Sequence, residues 1–275
     1  MQLANKVAVV TGASSGIGAA IAILFAKEGA NVVIVGRNET KLANVAAECK
    51  KNGNTPHIIK ADVSVDEEAK RIIKDAVDTF GKIDVLVNSA GIAKFGSILD
   101  GKILEAYDAV DKTNMRAIIH LTTLAAPYLI KTKGNIINIS STGSKLTPSV
   151  PSFTSYCILK SALEHFTKAS AWELSSLGVR VNCIRPGPVK TDIVENSGFP
   201  GTWDTFKAMT ALDRVGEPEE IADIALFLAS DRARSVTGSV YTSDNGLLLK
   251  STVVYALLLI CFRKNSDFES QIAFY

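Results

Sequence analysis

The chain has 275 residues, 47% of them hydrophobic, and its 30 basic and 28 acidic side chains leave a formal net charge of +2. The length suffices for a full hydrophobic core, and scattered charges of both signs argue against a nucleic-acid partner or an acidic disordered tail. Four cysteines without C-x-x-C spacing and three histidines argue against a Cys/His metal site, so no metal is expected. Free thiols and a polar N-terminus predict a cytoplasmic protein.

Short β-branched runs alternate with longer amphipathic stretches along the chain. In chain order, the pattern predicts a strand at 6–11, a helix at 19–28, a strand at 31–36, a helix at 39–51, a strand at 57–61, a helix at 66–80, a strand at 83–88, a helical region at 103–131, a strand at 135–140, a helix at 155–177, a strand at 179–184, a helix at 217–229 and an edge-like strand at 239–242. No element is clear at 189–215, which suggests a functional lid.

Near-continuous apolar strands separated by helices indicate a parallel sheet that is covered on both faces. The predicted fold is therefore α/β, a Rossmann-type doubly wound sheet of about seven parallel strands, in one domain over 1–250. Residues 251–275 form an atypical extension whose apolar run, 253–262, is shorter than the roughly 20 residues of a membrane span. A subunit contact or buried segment is favoured there over a peripheral membrane anchor, so a membrane partner is not expected.

A glycine turn follows the first strand, where Gly12, Gly16 and Gly18 open the first helix. Glycine permits a tight turn and close approach of a phosphate, and a helix N-terminus offers free N–H groups. Glycines that only make a tight turn are the alternative, but the position after the first strand favours a dinucleotide. The second strand ends at Arg37 and Asn38 instead of a carboxylate, which favours NADP(H) over NAD(H), because arginine can pair with a 2′-phosphate.

The candidate catalytic pair is Tyr156 and Lys160, four positions apart on one predicted helix face. An ammonium beside a phenol favours the phenolate, so Lys160 is expected to lower the pKa of Tyr156 for proton transfer to or from a substrate oxygen. Ser140 and Ser141 end the fifth strand, where a hydroxyl can bind the carbonyl oxygen. Asn114 lies inside a predicted helix, where its amide could hold a water linked to Lys160, or could simply accommodate a bend.

These residues occur in the order of known motifs, and through them the chain resembles the short-chain dehydrogenase/reductase family, in its single-domain NAD(P)-dependent type. TGASSGIG at 11–18 matches the TGxxxGIG cofactor turn, NSAG at 88–91 resembles NNAG, and Asn114, Ser141, Tyr156 and Lys160 match the catalytic tetrad. The cofactor contacts that the resemblance implies are Gly12, Ser14, Ser15, Gly16, Ile17, Gly18, Arg37, Asn38, Asp62, Val63, Asn88, Ala90, Gly91, Tyr156, Lys160, Pro186, Gly187, Val189 and Thr191.

The chain departs from the family pattern in three places. Fifteen positions separate Ser141 from Tyr156, slightly more than usual, which leaves Ser140 as an alternative to the favoured Ser141. Asp244-Asn-Gly246 stands where the family commonly has Asp-Gly-Gly, and the extension Leu247–Tyr275 is not a family feature. The resemblance also implies a homotetramer or homodimer, through the C-terminus and the helices that precede and contain Tyr156.

The predicted function is NADP(H)-dependent hydride transfer between a ketone and a secondary alcohol, on a small-molecule substrate. An apolar rim without an arginine clamp favours a hydrophobic carbonyl that is steroid-like, isoprenoid or xenobiotic. That rim is Phe95, Thr142, Pro148, Val150, Phe153, Phe199, Trp203 and Met209. The alternatives are a 3-oxoacyl thioester reductase, since the chain also resembles 3-oxoacyl-carrier-protein reductases, and a catalytically silent dinucleotide-binding sensor.

Overall fold

A computed structural model of the chain describes residues 1–148, 151–193 and 202–250. The strands are β1 Val7–Thr11, β2 Asn31–Gly36, β3 His57–Lys60, β4 Val85–Asn88, β5 Asn135–Ile139, β6 Arg180–Pro186 and β7 Val240–Ser243. The helices are α1 Gly16–Lys27, α2 Glu39–Asn52, α3 Asp66–Phe80, α4 Ile103–Asp111, α5 Ala117–Thr132, α6 Thr154–Ser175, α7 Trp203–Ala208 and α8 Pro218–Ala229.

The strands of the described ranges form one seven-stranded sheet in the order β3-β2-β1-β4-β5-β6-β7, with parallel pairing throughout. The predicted α/β class and doubly wound parallel sheet are therefore confirmed. The order reverses at β1, which lies between β2 and β4. Ligands of open α/β sheets bind at the carboxyl edge of such a switch point, so the sheet order locates the site before any side chain is considered.

Burial of both sheet faces explains the continuous apolar strands. In β1, Ala8 and Val10 belong to one core cluster with Phe25 of α1, whereas Val9 belongs to another with Leu121 of α5. Side chains alternate between the faces of a strand, so a strand covered on both sides must be apolar at every position.

Local sequence defines the helices clearly, as α3 illustrates. Its first turn carries Asp66, Glu67 and Glu68, which complement the positive end of the helix dipole. Its buried residues recur at helical spacing, from Ala69 to Ala76, and the helix ends at Gly81 in a left-handed conformation. The predicted bounds of this helix coincide with the observed ones.

Two predicted segments differ in the structure. The helical region predicted at 103–131 is interrupted by a π-helical turn, Lys112–Arg116, between α4 and α5. The segment 189–215, predicted without an element, contains α7 and a bridge between Val189 and Gly216. The predicted extension 251–275 lies outside the described residues. Among the helices that the structure does describe, none has the length and apolar character needed to cross a membrane.

Candidate active site

A cavity of about 1080 Å³ opens at the carboxyl edge of the sheet. Its walls come from segments at or just after strand ends: Gly12 after β1, Arg37 after β2, Ser89 after β4, Ser140 after β5 and Gly187 after β6. The volume is at the upper end of the range typical of ligand pockets, as a long ligand such as a dinucleotide requires.

The glycine turn forms one end of this cavity. Gly12 has φ +67°, and a Cβ there would lie 2.7 Å from the backbone Cα and N of Ala90; a Cβ on Gly18 would lie 2.4 Å from the carbonyl oxygen of Gly12. Close approach of the protein's own backbone therefore already requires these glycines. The N-terminus of α1 has no side-chain cap and no acidic residue in its first turn, and its residues line the cavity. Its free N–H groups fit a phosphate.

Arg37 and Asp62 line the cavity beside the glycine turn, since Gly36, which precedes Arg37, packs against Ser14. The Arg37 guanidinium lies 3.5 Å from the Asp62 carboxylate, and 68% of its side chain is exposed. Burial alone would raise the pKa of Asp62, but hydrogen bonds from Ser64 and the charge of Arg37 hold it below its ordinary value. Asn38 caps α2 by accepting a hydrogen bond from the Lys41 N–H at 2.9 Å, and it does not line the cavity.

Tyr156 and Lys160 share one face of α6 and both line the cavity, as their spacing predicts. The Lys160 Nζ lies 5.6 Å from the centroid of the Tyr156 ring and donates to the carbonyl oxygen of Ile139 at 2.8 Å. Tyr156 is only 7% exposed; Ser141 acts to lower the pKa of its phenol, and the Phe153 ring stacks on it with the ring centroids 4.5 Å apart. A proton donor, a hydroxyl partner and a cation therefore meet on one wall.

Burial dominates the titration of this pair. It raises the pKa of Tyr156 to about 12, although the hydrogen bond with Ser141 acts in the opposite direction. It lowers the pKa of Lys160 to about 8. The expected net lowering of the Tyr156 pKa is therefore wrong in this structure, because desolvation of the phenolate is the largest effect. The phenol is protonated at neutral pH, which suits it to donate a proton to a carbonyl oxygen.

The two serines at the end of β5 point in different directions. The Ser140 hydroxyl bonds the Glu164 carboxylate at 3.1 Å and the carbonyl oxygen of Lys160 at 3.2 Å, both on α6. The Ser141 hydroxyl accepts from the Gly143 N–H at 3.1 Å. It lies beside the Tyr156 ring, since a Cβ on Gly143 would be 3.5 Å from the Ser141 hydroxyl and 3.4 Å from the ring edge. Of the two, Ser141 is therefore in position to act together with the phenol.

Asn114 lies in the π-helical turn and is fully buried. Its Oδ1 accepts from the Ile92 N–H and its Nδ2 donates to the Ile92 carbonyl oxygen, both at 2.9 Å. The amide therefore holds the segment after β4, which lines the cavity, and the expected water contact stays a prediction. The residue lies in a π-helical turn, and its amide is bonded to Ile92 and not to the backbone of its own helix.

Asn88 lies behind the cavity instead of in its wall. It is buried, and its Nδ2 donates to the Asn138 Oδ1 at 2.9 Å across β4 and β5. The other predicted cofactor residues, apart from Asn38, all line the cavity: Gly12, Ser14, Ser15, Gly16, Ile17, Gly18, Arg37, Asp62, Val63, Ala90, Gly91, Tyr156, Lys160, Pro186, Gly187, Val189 and Thr191.

The predicted substrate rim is only partly in place. Phe95, Thr142, Pro148, Phe153 and Met209 line the cavity, whereas Val150 and Phe199 lie outside the described residues. Trp203 is not a lining residue; it packs on Phe206, which is one. Sequence reasoning missed Phe206 because α7 was not predicted, and it also missed Lys94, Leu146, Cys157 and Leu247.

A family model, curated relatives and a solved structure all match this chain over most of its length. The family model described as Enoyl-(Acyl carrier protein) reductase matches residues 12–248. The 3-oxoacyl-[acyl-carrier-protein] reductase FabG of Thermotoga maritima is 35% identical over 90% of this chain and 100% of its own length. The A-factor type gamma-butyrolactone 1'-reductase of Streptomyces virginiae is also 35% identical, over 90% and 97%. A short-chain dehydrogenase/reductase of unknown function from Caenorhabditis elegans, solved with cofactor, superimposes with TM-score 0.84 at 34% identity, over 90% and 97%.

Proposed function

This chain belongs to the short-chain dehydrogenase/reductase family, whose members are oxidoreductases acting on CH–OH and C=O groups, and we propose that it reduces a carbonyl with NADP(H). The observation that carries the proposal is the group that Ser141, Tyr156 and Lys160 form in the cavity wall, in which the Lys160 ammonium lies 5.6 Å from the centroid of the phenol ring. Since the cavity also offers an uncapped helix N-terminus for a pyrophosphate, the donor set fits a nicotinamide dinucleotide.

In the proposed reaction the dinucleotide supplies the hydride, and a side chain of the protein supplies the proton. Tyr156 donates its phenolic proton to the carbonyl oxygen, and the Ser141 hydroxyl orients that oxygen. Lys160, held at the sheet edge by its bond to the Ile139 carbonyl, favours the phenolate that remains. Asn114 acts indirectly, by holding the Ile92 backbone in the cavity wall.

NADP(H) is proposed over NAD(H) on the residues that follow β2. No carboxylate directly follows Gly36 to bind both ribose hydroxyls, and the Arg37 guanidinium is largely exposed at the cavity end. Its contact with Asp62, at 3.5 Å, leaves donors free in the guanidinium fork for a 2′-phosphate.

For the substrate we propose a 3-oxoacyl thioester first, because several relatives that match over their whole length are named as 3-oxoacyl-carrier-protein reductases. The relatives therefore favour what the sequence alone ranked second. An apolar ketone is the second candidate. The observation in its favour is a row of aromatic rings beside Tyr156, in which the centroid of the Phe153 ring lies 4.5 Å from that of Tyr156 and 5.4 Å from that of Phe95.

Self-association, as a homodimer or homotetramer, is also part of the proposal. It is supported by three apolar side chains that are exposed on α5 and α6: Ile119, Ile158 and Trp172, the last of them 85% exposed. Sedimentation of the full chain would test it.

The test of the proposed function is Tyr156→Phe, with Tyr128→Phe as a matched control that lies outside the cavity lining. Consumption of NADPH is followed with acetoacetyl thioesters and with a panel of apolar ketones. Tyr156→Phe should lower kcat by ~100-fold or more and leave the NADPH Kd within about twofold, since it removes only the proton donor. Full activity of Tyr156→Phe would refute the mechanism. Tight NADPH binding without turnover of any carbonyl by the wild type would favour the sensor.

A further inference from the structure

A second cluster of charged side chains adjoins the active site, and the proposed mechanism assigns it no role. It is centred on Glu164 of α6, one turn after Lys160, and on Arg185 of β6, whose side chains are only 7% and 11% exposed. The Arg185 guanidinium forms a bidentate pair with the carboxylate, with Nε 2.7 Å from Oε1 and NH2 2.6 Å from Oε2. Such forked pairs fix geometry as well as charge.

The carboxylate also holds both ends of the serine turn, defined here as residues 140–144. The hydroxyls of Ser140 and Ser144 both donate to Oε1 of Glu164. Ser141 lies between these two anchors in the chain. The Ser144 N–H donates to the Ser141 carbonyl oxygen at 2.9 Å. One carboxylate therefore fixes the two ends of the segment that carries the hydroxyl beside Tyr156.

Arg185 in turn is held by the sheet. Its NH1 donates to the Thr242 hydroxyl at 2.9 Å, its neighbour in register on β7, and its Nε lies 3.2 Å from the Ser144 hydroxyl. The pair therefore connects α6, β6 and β7 to the serine turn. A buried ion pair by itself is weak evidence for a stability role, because desolvation offsets the Coulomb attraction. Its contacts on both sides of Ser141 point instead to positioning.

We propose that Glu164, oriented by Arg185, is a positioning residue that fixes the Ser141 hydroxyl against the Tyr156 phenol. The inference rests on the proposed carbonyl reduction for its catalytic consequence, but the structural link between Glu164 and the serine turn can be tested without turnover. Burial alone would raise the pKa of Glu164, yet hydrogen bonds from Arg185 and Ser144 hold it below its ordinary value, so the carboxylate is ionised and accepts all these donors.

The first measurement is amide hydrogen exchange of residues 140–146 in full-length Glu164→Gln. Glutamine keeps the size of the side chain but loses one acceptor oxygen of the fork, so the Gly143 and Ser144 amides should exchange at least about tenfold faster. The control is Glu220→Gln, which breaks the bidentate pair with Arg214 away from the cavity. It should leave these amides unchanged. Unchanged exchange in Glu164→Gln would overturn the proposal.

The second measurement is a double-mutant cycle on kcat. In the wild-type background Glu164→Gln should lower kcat about tenfold or more and leave the NADPH Kd within about twofold, because small misplacements of a reacting group are costly. In a Ser141→Ala background the same substitution should change kcat by less than about twofold. An equal loss in both backgrounds would show that Glu164 acts on general structure, and the positioning role would be wrong.

Ser144→Ala provides a milder variant should Glu164→Gln fail to fold. It removes one anchor of the serine turn while the Arg185 pair stays, and its effect on kcat, about threefold or more, should also disappear in the Ser141→Ala background. An effect that persists there would contradict the proposal. A wild-type protein without carbonyl turnover would refute the proposed function, and the exchange rates would then decide the link between Glu164 and the serine turn.

Discussion

Gly12→Ala tests whether the glycine turn is fixed by contact with the protein's own backbone. Gly12 and Gly101 both have positive φ, +67° and +71°, but a Cβ at Gly12 would lie 2.7 Å from Ala90 backbone atoms, whereas at Gly101 nothing lies within 4 Å. A left-handed alanine costs about 1–2 kcal/mol at either position. Gly101→Ala therefore serves as a matched control for the cost of a left-handed backbone conformation.

The steric term at Gly12 adds to this cost. Ordinary carbon contacts are about 3.5–4.0 Å, so the end of β4 would have to move away. That end is held by the Thr11 hydroxyl, which accepts from the N–H groups of Ser89 and Ala90 at 3.1 and 3.2 Å. Overpacking of this kind costs about 1–3 kcal/mol. We therefore expect Gly12→Ala to lose about 2–5 kcal/mol, against about 1–2 kcal/mol for Gly101→Ala.

Urea denaturation and thermal melting would measure both variants, with a Tm difference of roughly 2–4 °C for each kcal/mol in a chain of this size. Because Ser89 and Ala90 line the cavity, Gly12→Ala should also weaken NADPH binding, measured by calorimetry, while Gly101→Ala should not. Equal stability losses in the two variants would refute the steric argument. A normal NADPH affinity in Gly12→Ala would refute the link between the turn and the cavity.

Two further predictions concern the charged groups of the cavity. Arg37→Ala should raise the KM for NADPH about tenfold or more, because it removes the partner of the 2′-phosphate, and should leave the KM for NADH within about twofold. Initial-rate assays measure both constants, and equal changes for the two cofactors would contradict the prediction. Burial lowers the pKa of Lys160 from 10.5 in the unfolded chain to about 8 in the folded one. Between pH 8 and 10.5 the unfolded chain therefore binds more protons than the folded chain at this group. The free energy of unfolding should then rise with pH across this range, by up to about 3 kcal/mol. Lys160→Met should lose that rise in pH-dependent urea melts, and an identical slope in both proteins would show that Lys160 is not titrating in this range.

Several site features were predictable because they depend on local spacing. The four-residue interval between Tyr156 and Lys160 places both on one face of a helix whatever the rest of the chain does. The apolar strands predicted a sheet covered on both faces, and the glycine cluster after the first strand predicted the turn at the cavity end. Arg37 lies at that cavity for the same reason, since it directly follows β2.

Other features depend on contacts between distant segments. The interval from Ser141 to Tyr156 left two candidate serines. Only the packing of α6 on β5 showed that Ser140 bonds Glu164, whereas Ser141 lies beside Tyr156. The π-helical turn around Asn114 is equally non-local, because the amide is satisfied by Ile92, 22 positions away.

The sequence by itself determined the order of the strands and of most helices, the glycine turn and the residue types at the sheet edge, because periodicity and spacing act within a few residues. The tertiary structure alone decided that burial, not the neighbouring ammonium, dominates the pKa of Tyr156, and that Glu164 and Arg185 meet behind the serine turn. Desolvation and ion pairing depend on what surrounds a group in space, and that environment is formed by segments far apart in the chain.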